Sequence, residues 1–285
     1  MTKEHKRPIA VQDRHRGLFP HPGHVFLYQW QEGKRIGCGQ LIRVIKHGEH
    51  WNAPERHPEL GSDEIHIWRA NLAELASAGD LEILDDDERE RSARFVKPEH
   101  GSRYATAQAL LRRMLSAYTG RSVQDIAYRR GPNGKPYLLD SSLEFNITHS
   151  GDLLLAAVTL GREVGIDIEH VRPERPVMSL AKRYYTPAEV AWIGTLQKEE
   201  QARAFFRLWT LKESFLKARG TGLPGGLNTF EYALVDEDEP RLLWTHPPHG
   251  KPEDWSSWEL TAHPDYTAAM VVSGPARTIS AYEWK

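Results

Sequence analysis

The chain has 285 residues, enough for one large domain or two smaller ones, each with a sizeable core. A net charge of −2 gives no general pull on nucleic acid, so any phosphate site must be local. The single cysteine, Cys38, excludes an intrachain disulfide, and no apolar run approaches the ~20 residues of a membrane span. With a charged start, Met1 to Pro8, and no apolar stretch behind it, the sequence reads as cytoplasmic, without membrane or nucleic-acid partners.

Residues 1–62 are poorly patterned and histidine-rich, and we read them as an N-terminal extension. The pairs His21/His24 and His47/His50 have metal-compatible spacing, but no carboxylate or cysteine completes a site, so loop histidines are the simpler reading. Val25–Tyr28 and Leu41–Ile45 read as short strands. Clearer patterning begins at Asp63–Ala70, which alternates like a half-buried strand. A helix is expected over Leu72–Ala78, then an acidic helix start at Leu84–Arg91 and a long helix over Ser102–Tyr118 ending at Gly120. Arg130–Tyr137 is a turn-rich loop. Leu143–Ser150, Leu153–Leu160 and Val164–Ile168 follow as strands.

From about Arg172 the plan repeats. Helices are expected at Met178–Tyr185, from Pro187 after a Thr186 cap, and over Phe205–Ala218, which glycines 220 and 222 terminate. Strands are expected at Phe230–Leu234, Trp258–Thr261, Ala268–Val272 and Ile279–Trp284. Placing Arg103 on Arg207 aligns the two long helices, with Leu111 on Phe215 and Arg113 on Lys217. The expected fold is therefore α+β: two similar halves, 63–172 and 173–285, in a pseudo-twofold monomer.

Two stretches carry the chemistry. In Gly165-Ile166-Asp167-Ile168-Glu169, strand alternation puts both carboxylates on one face, where like charges ~7 Å apart repel unless a cation or water intervenes. Oxygen ligands of this kind suit magnesium, with manganese as an alternative. On the 205–218 helix, Lys212, Glu213 and Lys217 fall outside the apolar face, and Glu213 can complete a set of three carboxylates with Asp167 and Glu169. Taken alone, that helix is an amphipathic core element with a surface Glu–Lys pair. Gly131, Gly134 and Pro136 around Lys135 form a tight turn that lets backbone approach a phosphate or a base. Asn146, Thr148 and His149 at a strand end, and Arg91, Arg103 and Arg130, are candidates for an anionic ligand.

Together these stretches resemble the Sfp-type 4′-phosphopantetheinyl transferases. The signatures are Gly134-Lys135-Pro136 with Phe145-Asn146-Ile147-Thr148-His149-Ser150, then Val164–Glu169, then Trp209–Ala218, in the family's order. The resemblance runs from about residue 63 to the C-terminus. Thr148 stands where the family usually has serine and keeps the hydroxyl; Glu88 stands near a place where some relatives carry a basic residue. The resemblance implies transfer of the phosphopantetheinyl arm of coenzyme A to a serine of an apo carrier protein, releasing adenosine 3′,5′-bisphosphate. It implies magnesium on Asp167, Glu169 and Glu213, with Glu213 or a metal-held water as base and Lys217 on the leaving phosphate. Arg91, Arg130, Thr148 and His149 would hold the 3′-phosphate, and Gly134, Lys135 and Pro136 would flank the adenine. Carrier docking is expected near Leu180, Lys182, Arg183 and Tyr184. The rival readings are a magnesium-dependent phosphohydrolase, which leaves the Trp209–Ala218 signature unexplained, and a non-catalytic carrier-binding protein, which would not need the full carboxylate set.

Overall fold

The structure, a computed structural model, describes residues 51–285 apart from 236–238 and 276, and the backbone of two strands before them. The chain divides between Ile45 and Lys46. In the first unit β1 (Tyr28–Gln31) and β2 (Lys34–Cys38) form an antiparallel hairpin. Residues 25–27 and the run Leu41–Ile45, both expected as strand, lie outside the described residues, as do His21, His24, His47 and His50.

The second unit repeats one order of elements. Its first pass runs β3 (Glu64–Asn71), α1 (Leu72–Leu75), α2 (Asp80–Ile83), α3 (Asp86–Ala93), α4 (Pro98–Thr119), β4 (Tyr128–Arg130), β5 (Pro136–Leu138), β6 (Leu143–Ser150) and β7 (Leu153–Leu160). The second runs β8 (Val164–His170), α5 (Val177–Tyr184), α6 (Pro187–Thr195), α7 (Lys198–Arg219), β9 (Phe230–Val235), β10 (Glu239–Thr245), β11 (Trp255–Leu260) and β12 (Tyr266–Ser273), and β13 (Thr278–Glu283) ends the chain. Each pass is thus a strand, a long helix, a hairpin and an antiparallel pair. Sheet membership crosses between the passes. β13 pairs parallel to β3, giving the order β13-β3-β7-β6, while β8 is an edge of β11-β12-β8.

Strand alternation explains the layering. In β3, Trp68 and Ala70 pack under α4 with Leu111, Leu115 and Phe145, while Ile65 and Ile67 face the other way. There they meet Ile166, Ile168 and Met270 of the second sheet in a shared core. The far side of the second sheet, through Ala269 and Val271, receives Leu211 and Phe215 of α7. Strands buried on both faces read as continuous apolar runs, which is why Leu153–Leu160 is so uniform.

Some local expectations shift. The helix expected over Leu72–Ala78 stops at Leu75, and a separate α2 begins at Asp80, whose buried carboxylate accepts from Ser77 N (3.0 Å) and from Thr106 Oγ1 (2.9 Å). The loop Arg130–Tyr137 is the turn of the β4–β5 hairpin, with Gly134 at φ +86°. β10 is not legible in the sequence: it is a half-exposed edge strand containing Pro240 and lacks apolar alternation. Residues 51–62, grouped with the extension by sequence, pack on the body. Asn52 bridges to Tyr282, His57 stacks on Trp68 at 5.3 Å, and Leu60 joins the first core. Among the described residues no helix is long and apolar enough to cross a membrane.

Candidate active site

The site forms where two edge strands, β6 and β8, lie side by side without a backbone ladder between them. Side chains satisfy the seam instead. Asn146 Oδ1 accepts from Ile166 N (2.9 Å), and Lys135 Nζ donates to Val164 O (3.1 Å) and Ala218 O (2.8 Å). Lys217 Nζ donates to Ile166 O (3.3 Å). Buried backbone groups must find partners, so these side chains hold an opening that a ladder would have closed.

Gly165 lets α7 lie against β8. A Cβ there would stand 2.0 Å from Ser214 O and 2.4 Å from Ala218 N, and only glycine permits that approach. Ser214 adds a bond from Oγ to Ala269 O (2.9 Å). The helix is thereby set so that Glu213 and Lys217 meet Asp167. Lys217 Nζ lies 2.5 Å from Asp167 Oδ1 and 3.1 Å from Thr148 Oγ1, and Thr148 donates to the same carboxylate oxygen (3.1 Å). Ser150 and Arg172 each reach Glu169 Oε2 at 3.3 Å.

Burial disfavours the ionised form of all three carboxyls. Burial raises the Asp167 pKa, opposed by Lys217 and Thr148. Burial and the Asp167 charge raise that of Glu169. Glu213 is pushed up to about 7, first by burial and then by the charge of Asp167, with Lys217 opposing and Glu169 adding to it. Asp167 Oδ2 and Glu213 Oε1 are buried without a hydrogen-bond partner. Buried orphan carboxylate oxygens are costly. An all-oxygen donor set with two orphaned atoms fits a hard divalent cation, although among the described residues no three His, Cys, Asp or Glu side chains already stand in ligating arrangement.

Lys212 corrects the sequence reading, which placed it on the surface. It is fully buried: Nζ lies 2.7 Å from Glu189 Oε1 and donates to Leu227 O (2.8 Å) and Phe230 O (2.7 Å). Glu189 in turn accepts from Tyr232 N (2.9 Å) and closes the capping box of α6 with Thr186. Nothing in the spacing of Lys212 foretold this, because its partner lies on another helix.

Beside the carboxylates a cavity of about 240 Å3 opens between the β4–β5 turn, α4 and the end of α7. Of the predicted ligand-binding residues, Arg130, Gly134, Lys135, Pro136, Asn146 and Lys217 line it. Sequence reasoning missed Gln108, Leu111, Ile147 and Leu216 as parts of its walls, together with Asn133, Gly220 and Gly222. The Lys135 amine and the Asn146 Oδ1 are spent on backbone, so both help to shape the cavity. Thr148 belongs to the carboxylate cluster. The His149 ring has its pKa lowered by desolvation and by the nearby Lys217 and Arg103 cations, and so stands in positive surroundings. Arg91 lies over the Tyr104 ring (5.2 Å), and Arg130 over Tyr128 (5.8 Å). The fields of both arginines reach the Tyr104 hydroxyl. Glu88, by contrast, is a buried cap of α3 paired with Arg112 (2.8 Å), which accounts for an acid at that position.

Comparison with known proteins agrees with this layout. Residues 163–271 match the model of the 4′-phosphopantetheinyl transferase superfamily, and residues 66–160 match that of the 4′-phosphopantetheinyl transferase N-terminal region. The chain is 39% identical over 221 residues to the 4′-phosphopantetheinyl transferase HetI of a Nostoc species, covering 75% of this chain and 90% of that protein. It is 32% identical over 160 residues to the 4′-phosphopantetheinyl transferase Sfp of Bacillus subtilis, covering 56% and 70%. A solved holo-[acyl-carrier-protein] synthase from Thermotoga maritima aligns over 39% of this chain and 62% of its own, at 26% identity and a TM-score of 0.33. With its signature strand and helix placed at one seam and nearly the whole of a 39%-identical relative covered, the chain belongs to the Sfp-type 4′-phosphopantetheinyl transferases.

Proposed function

We propose that the chain moves the 4′-phosphopantetheine arm of coenzyme A onto a serine of an apo carrier protein, with magnesium, and releases adenosine 3′,5′-bisphosphate. The observation that carries this is the triple carboxylate cluster with two orphaned buried oxygens, set beside Lys217 and an open cavity. Asp167, Glu169 and Glu213 would hold the metal, which when bound supplies charge neutralisation at the pyrophosphate. Glu213, or a water held by the metal, would accept the serine proton. Lys217 would offer its ammonium to the leaving phosphate. Arg91, Arg130 and His149 would grip the 3′-phosphate, with Thr148 supporting through Asp167. The Gly134–Pro136 turn would flank the adenine. On α5, Lys182 and Arg183 are exposed while Leu180 and Tyr184 are half-buried, a basic surface that an acidic carrier can meet. A cytoplasmic monomer remains part of this reading.

Intact mass of an apo carrier protein, incubated with the full chain, coenzyme A and magnesium, tests it. A gain of one phosphopantetheinyl group, lost on adding chelator, is expected. Phosphate release from coenzyme A without a modified carrier would instead favour the phosphohydrolase reading and overturn this one.

A further inference from the structure

The polar end of the cavity contains an arrangement that its other functions leave unexplained. Two acceptors, Glu88 Oε1 and Gln108 Oε1, face the single hydroxyl proton of Tyr128, the latter at 2.8 Å. Glu88 is buried and ion-paired with Arg112, so it is a carboxylate and can only accept. Burial and the Glu88 charge keep the phenol protonated. The hydroxyl proton therefore belongs to Glu88. Whatever part of Gln108 touches the same oxygen must donate to it. The two ends of an amide have the same shape, so the bonding pattern decides between them. The Gln108 NH2 therefore faces Tyr128, which leaves the carbonyl oxygen as the free end of a side chain that lines the cavity.

We propose that this held carbonyl reads the 6-amino group of the adenine of coenzyme A, making Gln108 a base-selecting residue and Tyr128 the residue that orients it. The inference rests on the coenzyme A reading above. The cavity suits a flat, neutral, aromatic group. Leu111, Ile147, Pro136 and Leu216 supply apolar walls, and the cations that share the lining are already engaged: Lys135 with backbone carbonyls, Lys217 with Asp167 and Thr148, and Arg130 with Gly134 O. An adenine amino group donates to the fixed carbonyl. A 6-oxo purine presents a second acceptor there, and two acceptors repel.

The test compares binding of coenzyme A with that of its deaminated, hypoxanthine-bearing analogue, by calorimetry on the full chain. Wild type should bind the analogue about tenfold or more weakly, the loss expected when a buried polar group meets no partner. In Gln108→Met the ratio should fall toward one, chiefly through weaker coenzyme A binding. In Tyr128→Phe, which keeps the ring but frees the amide to turn, the ratio should shrink although Gln108 is present; a merely structural role would weaken both nucleotides alike. Equal binding of the two nucleotides by wild type, or an undiminished ratio in Gln108→Met, overturns the assignment of Gln108 alone. Failure of wild type to bind coenzyme A overturns the transferase reading, and this inference falls with it.

Discussion

The two long helices, α4 and α7, are the same scaffold put to different uses. Each has 22 residues and ends at a glycine in the left-handed region, Gly120 at φ 68° and Gly220 at φ 64°. Each carries an arginine that grips a carboxylate with two nitrogens: Arg103 on Asp152 and Arg207 on Glu259. One turn before the end they diverge. α7 presents Glu213 and Lys217 to β8, whereas the aligned positions of α4 are Ala109, wholly buried, and Arg113, which is bonded to buried Asp80 at 3.0 Å. In α4 the charge is consumed in holding α2; in α7 the carboxylate is left partly unsatisfied. A helix serving only stability pairs its charges, and one serving chemistry leaves an acid without a partner at a defined place.

Neutralising that acid should have the largest effect. Glu213→Gln is expected to cut transfer about 10²- to 10⁴-fold while folding normally, since it removes the proposed base and ligand but keeps the shape. Because burial raises the Glu213 pKa, the variant should melt at the same or a higher temperature at pH 8; a lower melting point would mean that Glu213 is structural, like its α4 counterpart.

Next comes the buried pair one residue away. Lys212→Met strands Glu189 in the core and should cost about 3–5 kcal/mol in denaturant unfolding, with much of that restored by adding Glu189→Gln. No recovery in the double variant would show that the two side chains act independently.

Gly165→Ala probes the close approach that distinguishes α7. The clash is with backbone, so the helix must shift, at about 1–3 kcal/mol of stability, and transfer should fall by at least tenfold through misplacement of Glu213 and Lys217. Unchanged kinetics would remove the packing argument.

The smallest effect belongs to the first sheet. His66, buried under Tyr118 and Tyr282 with His57 and Glu64 nearby, receives the Tyr118 proton at Nδ1 (2.8 Å), because its Nε2 faces the Glu64 carboxylate (3.3 Å) and so carries the ring proton. Burial lowers its pKa, so below about 6.5 the unfolded chain binds more protons than the folded one. Stability should fall as pH drops through that range, and His66→Gln should make the decline shallower in thermal scans from pH 7.5 to 5.5. An unaltered slope would shift the effect to His57.

Much of this protein was decided locally. Alternation in Val164–Glu169 put Asp167 and Glu169 on one face, the Thr186–Glu189 box started α6, and the glycines after residues 119 and 219 ended the long helices, because strand pleat, caps and left-handed turns depend on near neighbours alone. The family signatures were legible for the same reason, as each lies within one element. Tertiary structure alone decided the rest. Lys212 met Glu189, Lys135 was turned onto Val164 and Ala218 carbonyls, Gln108 came to line the cavity, and β13 crossed to pair with β3. Each of these joins residues from separate elements, and the free energy that selects them comes from burying polar groups with distant partners, which no local pattern in the chain encodes.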